Sequence, residues 1–405
     1  MARNGVRKEV RRRLCVFARR VARSVSDSRR QRFLEEMVTG LVIGGHVHLS
    51  KIARAAGRGD EDIHAAEKRL SRHLDSEHWS MQPVIDELRS WSAADIGEAT
   101  LIVADLTDIS KCYARVLEGL GKVRDASDPD KRLAPGYMLF EAYVRVGRWQ
   151  LRPLSIEPLK TYAGGPTSEN DEILQHIFAI HEAAGGRGTW VWDRGADRRE
   201  LIVPLLKRRV GFIIRQRGDR HVQTEEGRTL AVEELAQELF TNHRPHRWPH
   251  DGWTQTVTVR LPEAPEHELL LVLHWKRADS APLMLLVSPA ARRTGRTGAW
   301  FVKAYRRRWG VEDATWGLKQ RFHLEQFLVR SWRSIRRLIA LVALAFYWLN
   351  LWGDDRFRPL REAFLCHRWR LPKEVTYLSD WLATQIHLLL HPKPKIATID
   401  DHHSG

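Results

Sequence analysis

The sequence predicts an α/β protein whose central domain carries a β-rich insertion, preceded by an all-α region and followed by a helical one. Three observations lead there. Short apolar runs such as LIVAD from Leu101, TWVWD from Thr189 and FIIR from Phe212 end at polar or charged residues and are separated by a helical pattern at 168–184 and another at 197–207. Helical periodicity fills the first 90 or so residues and returns at Leu338–Trp352. Between them, alternating runs at Thr254–Leu261, Leu269–Trp275 and Leu283–Val287 interrupt the order. The expected division is a helical region over 1–95, an α/β domain over 96–337 with its insertion at about 216–295, and a helical region over 338–405.

Lys and Arg outnumber Asp and Glu by 66 to 50 in 405 residues, a formal charge of +16. The excess favours a polyanionic partner, nucleic acid first; an arginine-rich genome is the plain alternative. Cys15, Cys112 and Cys366 form no CxxC pair, which points away from a zinc site or a disulfide framework. The basic N-terminus lacks a following apolar stretch of signal type. Leu338–Trp352 is shorter than the ~20 residues a bilayer needs, so it reads as a buried helix and no membrane is expected.

Residues 1–32 hold twelve Arg and Lys against Glu9 and Asp27, with Val6, Val10, Leu14, Phe17 and Val21 on one helical face. Arg11, Arg12, Arg19 and Arg23 are phosphate-contact candidates; a transit peptide or a solvated face is the alternative. HLSKIARAAG followed by DIHAAEKRLSRHL reads as a helix-turn-helix-like pair at 49–56 and 60–74. There Lys51, Arg54, Lys68, Arg69, Arg72 and His73 are candidates to face DNA, a plain helical bundle being the alternative.

LIVADLTD places Asp105 at the end of its apolar run, with Thr107 on the same face and Asp108 opposite. Asp105 is the first metal-ligand candidate; Asp108, as ligand or helix N-cap, is the second. Tyr137–Val146 and Trp149–Ile156 form a hairpin about Gly147 and Arg148, and Ser168 or Asn170 opens the next helix. Asp193 closes a strand at Gly188–Trp192. Strand, hairpin, helix, strand, helix, strand is the ribonuclease-H-like order, which gathers carboxylates from separate elements.

The last helix comes after the insertion. In YRRRWGVEDATWGLK, Tyr305, Arg308, Glu312 and Lys319 fall within an arc of about 60° on an α-helix. Such a face suits a metal-bound phosphate: Glu312 holds a cation, Arg308 and Lys319 grip oxygens and Tyr305 hydrogen-bonds one. A structural charged helix is the alternative. The helix is expected to run on toward Gln326, carrying Glu325 as a spare acid. No HExxH or similar histidine spacing occurs. Three carboxylates suit two hard ions, Mg²⁺ or Mn²⁺, ~3.5–4 Å apart, better than zinc.

The spacing Tyr, two residues, Arg, three residues, Glu, six residues, Lys resembles the signature of DDE transposases of bacterial insertion sequences, in particular the insertion-sequence-four family. DRGAD at 193–197 resembles the motif around that family's second acid, with Gly195 where the family writes Glu, and Asp-x-Thr at 105–107 matches its first. The resemblance covers about residues 30–350. It implies Asp105, Asp193 and Glu312 as metal-binding catalytic acids, Asp197 as an N-cap or salt-bridge residue, and an insertion at the observed point. It also implies a cut-and-paste enzyme acting on double-stranded DNA at transposon inverted-repeat ends and target sites, a synaptic homodimer, and a bacterial cytoplasmic location on the nucleoid. A hairpin intermediate with a flipped base would call on Trp253, Trp275 or Trp300 for stacking. A metal-dependent nuclease that does not join strands and a non-catalytic DNA-binding descendant are the competing readings.

Overall fold

The computed structural model describes residues 3–57, 62–124, 130, 132–147, 150–242, 246–248, 252–292, 296–366 and 378–390. It begins with five helices, α1 (Arg3–Ala22), α2 (Ser28–Gly44), α3 (Leu49–Ala56), α4 (Ile63–Asp75) and α5 (Gln82–Ala93). Asp27 caps α2 by accepting from the Arg30 amide, and Gly45 ends it at φ 58°. The close approach of α2 to α3 depends on Gly40, where a Cβ would stand 2.5 Å from the Ile52 carbonyl oxygen.

The α/β part follows: β1 (Leu101–Ser110), β2 (Gly121–Arg124), β3 (Leu133–Arg145), β4 (Leu151–Pro158), α6 (Glu169–Ala183), β5 (Thr189–Trp192), α7 (Arg199–Lys207) and β6 (Phe212–Arg215). Next come β7 (His221–Gln223), β8 (Thr229–Ala231), α8 (Val232–Asn242), β9 (His246–Trp248), β10 (Gly252–Leu261), β11 (Ala264–Trp275) and β12 (Leu283–Val287). The chain closes with α9 (Pro289–Arg292), α10 (Gly298–Arg306), α11 (Gly310–Arg321), α12 (Trp332–Asn350), α13 (Arg358–Cys366) and α14 (Leu378–Leu390).

The described strands form one mixed sheet of 12, ordered β2-β3-β1-β5-β6-β12-β11-β10-β7-β8, with β4 beside β3 and β9 beside β10. β3 runs antiparallel to β1 and β4, whereas β1, β5 and β6 are parallel neighbours. The insertion strands extend this sheet through the antiparallel pair β6 and β12. On one face Leu101, Val103 and Tyr143 pack with the N-terminal helices and α10–α12. On the other, Ile102, Ala104 and Phe140 pack with α6 and α7.

The N-terminal helices and the Leu338–Trp352 stretch, read from sequence as separate regions, share one apolar core. α12 packs on α2 and α4, and Arg337 donates to the Leu74, Ser76 and Trp79 carbonyls at 2.6–2.8 Å. Trp332–Gly353 is long and apolar enough to cross a bilayer, but 94% of that window is buried in the protein. α1 likewise buries Val6, Val10, Leu14, Phe17 and Val21. Of its phosphate-contact candidates, Arg12 pairs with Glu9 and Arg11 donates to the Leu390 carbonyl, whereas Arg19 and Arg23 are exposed.

Two local readings change. The helix through Lys319 is α10, a 3₁₀ turn at Arg307–Trp309 and then α11, and it stops at Arg321 because His323 adopts φ 51°. Glu325 therefore lies on a separate 3₁₀ turn. β1 does not stop at its acids but runs on to Ser110 along β3. The hairpin residues Arg148 and Trp149 and the expected helix start at Asp60 lie outside the described residues.

Candidate active site

Strand register brings the first two acids together. Val103 pairs with Val191 in the parallel β1 and β5 ladder, and Asp105 and Asp193 each lie two residues further on. A period of two keeps both on the side-chain face of those valines, Asp193 just past the end of β5 and Asp105 two residues past the last β1 residue that pairs with β5. Asp193 is held locally: its Oδ1 accepts from the Gly195 amide at 2.7 Å and caps the short turn Arg194–Ala196. A Cβ on Gly195 would come within 2.9 Å of that same oxygen, so the residue that departs from the family pattern leaves room for this conformation.

The third acid arrives on α11 and is tied to the first through Arg308. The Arg308 guanidinium donates Nη1 to Asp105 Oδ2 at 3.0 Å and Nη2 to Glu312 Oε1 at 2.7 Å. It also lies over the Tyr305 ring, 6.0 Å from its centroid. Burial pushes the Asp105 carboxyl up to about 6, and the negative charges of Asp193 and Glu312 add to that against the opposing effect of Arg308. Burial also works against the Arg308 charge, but Asp105, Tyr305 and Glu312 outweigh it, so its affinity for a proton rises.

Among the described residues, no three His, Cys, Asp or Glu side chains stand close enough to hold a metal ion as placed. The donors themselves fit a hard divalent cation: all are carboxylate oxygens, and a cationic group already bridges two of them. In this arrangement Arg308 provides the positive charge.

Lys319 is engaged as well. Its Nζ lies 3.5 Å from Asp108 Oδ1 and 3.1 Å from Glu325 Oε1. Asp108, expected on the face opposite Asp105, thus reaches α11 as a partner of Lys319. Asp197 is buried, pairs with Arg220 and accepts from the Arg217 amide, which gives it the salt-bridge role.

Of the N-terminal candidates, Lys51, Arg54, Lys68 and Arg72 are exposed. Arg69 is committed to the buried Glu36 at 2.7 and 2.9 Å, and the His73 ring stacks on Phe33. α3 is fixed to the end of α11: the Val47 amide donates to the Phe322 carbonyl at 3.0 Å, and His48 Nε2 meets the Gln326 carbonyl at 2.8 Å. Among the tryptophans, Trp275 is buried against Phe240, Trp253 packs on Phe240, and Trp300 lies under Arg296. Trp309 and Trp316 are instead exposed, at 63% and 49%. They line a cleft of about 810 Å³ on the adjoining face of α11 with Arg145, Arg306, Arg307 and Arg321.

Sequence reading missed Glu141. It lies on β3 directly across from Asp105, is fully buried, and its Oε2 accepts from Thr315 at 2.6 Å and Tyr143 at 3.0 Å. The signal was present: an acid inside YMLFEAYV is out of place in a buried strand unless something pairs with it.

Residues 167–348 match the family model described as "Transposase DDE domain". The match contains Asp193 and Glu312 but begins after Asp105, which joins them only through the β1 and β5 register. No curated protein matches the sequence. Among solved structures, the chain is similar to a piggyBac transposase in its synaptic complex with hairpin DNA. The identity is 13% over 93% of this chain and 80% of that one, and the TM-score is 0.42.

Proposed function

We propose that the chain is a DDE transposase of the Tyr-Arg-Glu-Lys branch, cutting DNA at the ends of its element and joining the 3′-hydroxyls to target DNA. The observation that carries this reading is that Asp105 and Asp193 lie on one face of the neighbouring strands β1 and β5 while Arg308 links Asp105 to Glu312 of α11, Asp193 and Glu312 being inside the segment that matches a transposase DDE domain. The order β4-β3-β1-β5-β6, antiparallel then parallel, supports a ribonuclease-H-like core. Asp105, Asp193 and Glu312 would hold two Mg²⁺ or Mn²⁺ ions, which supply Lewis-acid stabilisation of charge on the attacking and leaving oxygens. Around them the chain's own residues bind and orient the phosphodiester: Arg308 and Lys319 with their positive charges, Tyr305 with its hydroxyl. A homodimer bridging two ends, in the bacterial cytoplasm, belongs to the same proposal.

The test is a duplex carrying the inverted repeats that flank the gene, incubated with protein and Mg²⁺ beside a target plasmid. Joined 3′ ends in Mg²⁺ and none in EDTA are expected. Cleavage without joining would instead make the protein a nuclease.

DNA engagement by α3 gives a separate prediction. Lys51→Ala and Arg54→Ala are each expected to lower the slope of log K against log salt by about one unit, the loss of one phosphate contact. Arg69→Ala is expected to leave that slope unchanged and to cost about 1.5–3 kcal/mol of stability, because the buried Glu36 loses the two hydrogen bonds that Arg69 donates. Equal slopes for parent, Lys51→Ala and Arg54→Ala would remove α3 from the DNA-binding surface. Deleting the N-terminal region cannot substitute for these point changes, since α12 packs against α2 and α4.

A further inference from the structure

Helix α11 carries Glu312 and Lys319, and its rotation about its own axis decides whether both face Asp105. Charge alone is a poor guide to that rotation, since a guanidinium or an ammonium group can follow its partner through several angles. A short hydrogen bond from the backbone-proximal hydroxyl of a β-branched residue is far stiffer. Thr315 provides one: it stands three residues after Glu312, one helical turn along nearly the same face. Its Oγ1 reaches Glu141 Oε2 at 2.6 Å.

The receiving end is built into the sheet. Glu141 is 0% exposed, pairs in register with Asp105, and takes a second hydrogen bond from Tyr143, two residues along on the same face. Tyr143 is itself fully buried and packs edge-on against Phe346 of α12. Glu141 Oε1 is buried with no partner, so the carboxyl spends its hydrogen bonding on one oxygen, aimed at α11. Burying an acid with one oxygen unsatisfied costs free energy that a purely structural residue at this position would not incur. Burial pushes this carboxyl up to about 7.

Thr315 has one hydroxyl hydrogen and two acceptors, Glu141 Oε2 at 2.6 Å and the Val311 carbonyl at 3.0 Å. Without Glu141 it would back-bond to Val311 within its own helix and no longer tie α11 to β3.

We propose that Glu141 and Thr315 are positioning residues that lock α11 onto β3 and so set Glu312 against Asp105 for metal binding. This rests on Asp105, Asp193 and Glu312 being the metal ligands, and the experiment separates the two ideas. Mn²⁺ binding to the full chain without DNA is measured by the loss of the free-ion electron paramagnetic resonance signal, with melting temperature as a folding control. Thr315→Val, which keeps the shape, is expected to weaken Mn²⁺ binding about 10–100-fold, as loss of a residue supporting a ligand does. Thr315→Ser is expected to restore it. Glu141→Leu, which fills the buried site, should weaken binding as Thr315→Val does, and Glu141→Gln, which keeps an acceptor oxygen, should stay within about threefold of the parent. Asp105→Asn should abolish binding.

If Thr315→Val and Glu141→Leu bind Mn²⁺ as the parent does while Asp105→Asn does not, the positioning role is overturned and the metal centre stands. If Asp105→Asn binds as the parent does, both fall. If Thr315→Val fails to fold, the Glu141→Leu and Glu141→Gln pair decides between the same two results.

Discussion

Glu312→Gln, Asp105→Asn and Asp193→Asn are each expected to reduce Mg²⁺-dependent cleavage of element-end DNA by more than about 100-fold. Changes one step removed from a metal already cost about 10–100-fold, and on the proposed assignment these remove a charged ligand outright. Folding should survive, and for Asp105→Asn it should improve when no metal is bound. Asp105 has its carboxyl raised to about 6 in the folded chain, above its ordinary 3.8, so the folded state prefers the proton. Its unfavourable contribution is absent below about pH 4, grows as pH rises toward 6 and is complete above that. The asparagine variant should therefore be more stable than the parent at pH 7 by about 1–3 kcal/mol, with the gap closing as pH falls to 4. Saturating Mn²⁺ should reverse the order at pH 7. Parental cleavage by Glu312→Gln would remove it from the centre. Glu325 would then be a poor substitute, since it sits off α11 and pairs with Lys319.

The second large effect is expected at Arg308. Its guanidinium balances Asp105 and Glu312, so Arg308→Ala leaves two partly buried carboxylates beside Asp193 with no cation. Without metal the variant should be less stable than the parent by about 1–3 kcal/mol, less than for a fully buried pair because both acids keep some contact with water. Divalent cation should then raise its melting temperature by more than it raises the parent's, since in the parent an internal charge must give way first. DNA binding should show a salt slope lower by about one unit, as one phosphate contact is lost. A metal-induced stabilisation equal in the two proteins would separate Arg308 from the cation's place, and an unchanged salt slope would separate it from the phosphate.

Much of this site was legible because its signals are local. Short apolar runs ending in Asp105 and Asp193, and four residues at helical spacing from Tyr305 to Lys319, report backbone geometry that a sequence encodes within fifteen or so residues. The boundaries of α3 and β12 follow from the same kind of signal. The extension of α11 past Arg321 was misread because nothing in HLEQ marks a left-handed residue; His323 takes that conformation where the chain turns to meet His48 and Lys111. Trp309 and Trp316 could not be told from buried tryptophans, since an aromatic residue reads alike on either side of a helix.

The sequence by itself determined the charge, the type of most of the longer elements, and which residues stand close on one strand or helical stretch, because each depends on neighbours along the chain. Tertiary structure alone decided what those faces meet. It placed β12 against β6, fusing the insertion to the central sheet, and it seated α12 among the N-terminal helices in a common core. It gave Arg308 to Asp105 and Glu312, Lys319 to Asp108 and Glu325, Arg69 to Glu36, and Thr315 to the buried Glu141. Such pairings depend on distances between residues remote in sequence, and a charge or hydroxyl carries no local mark of the partner that burial will force on it.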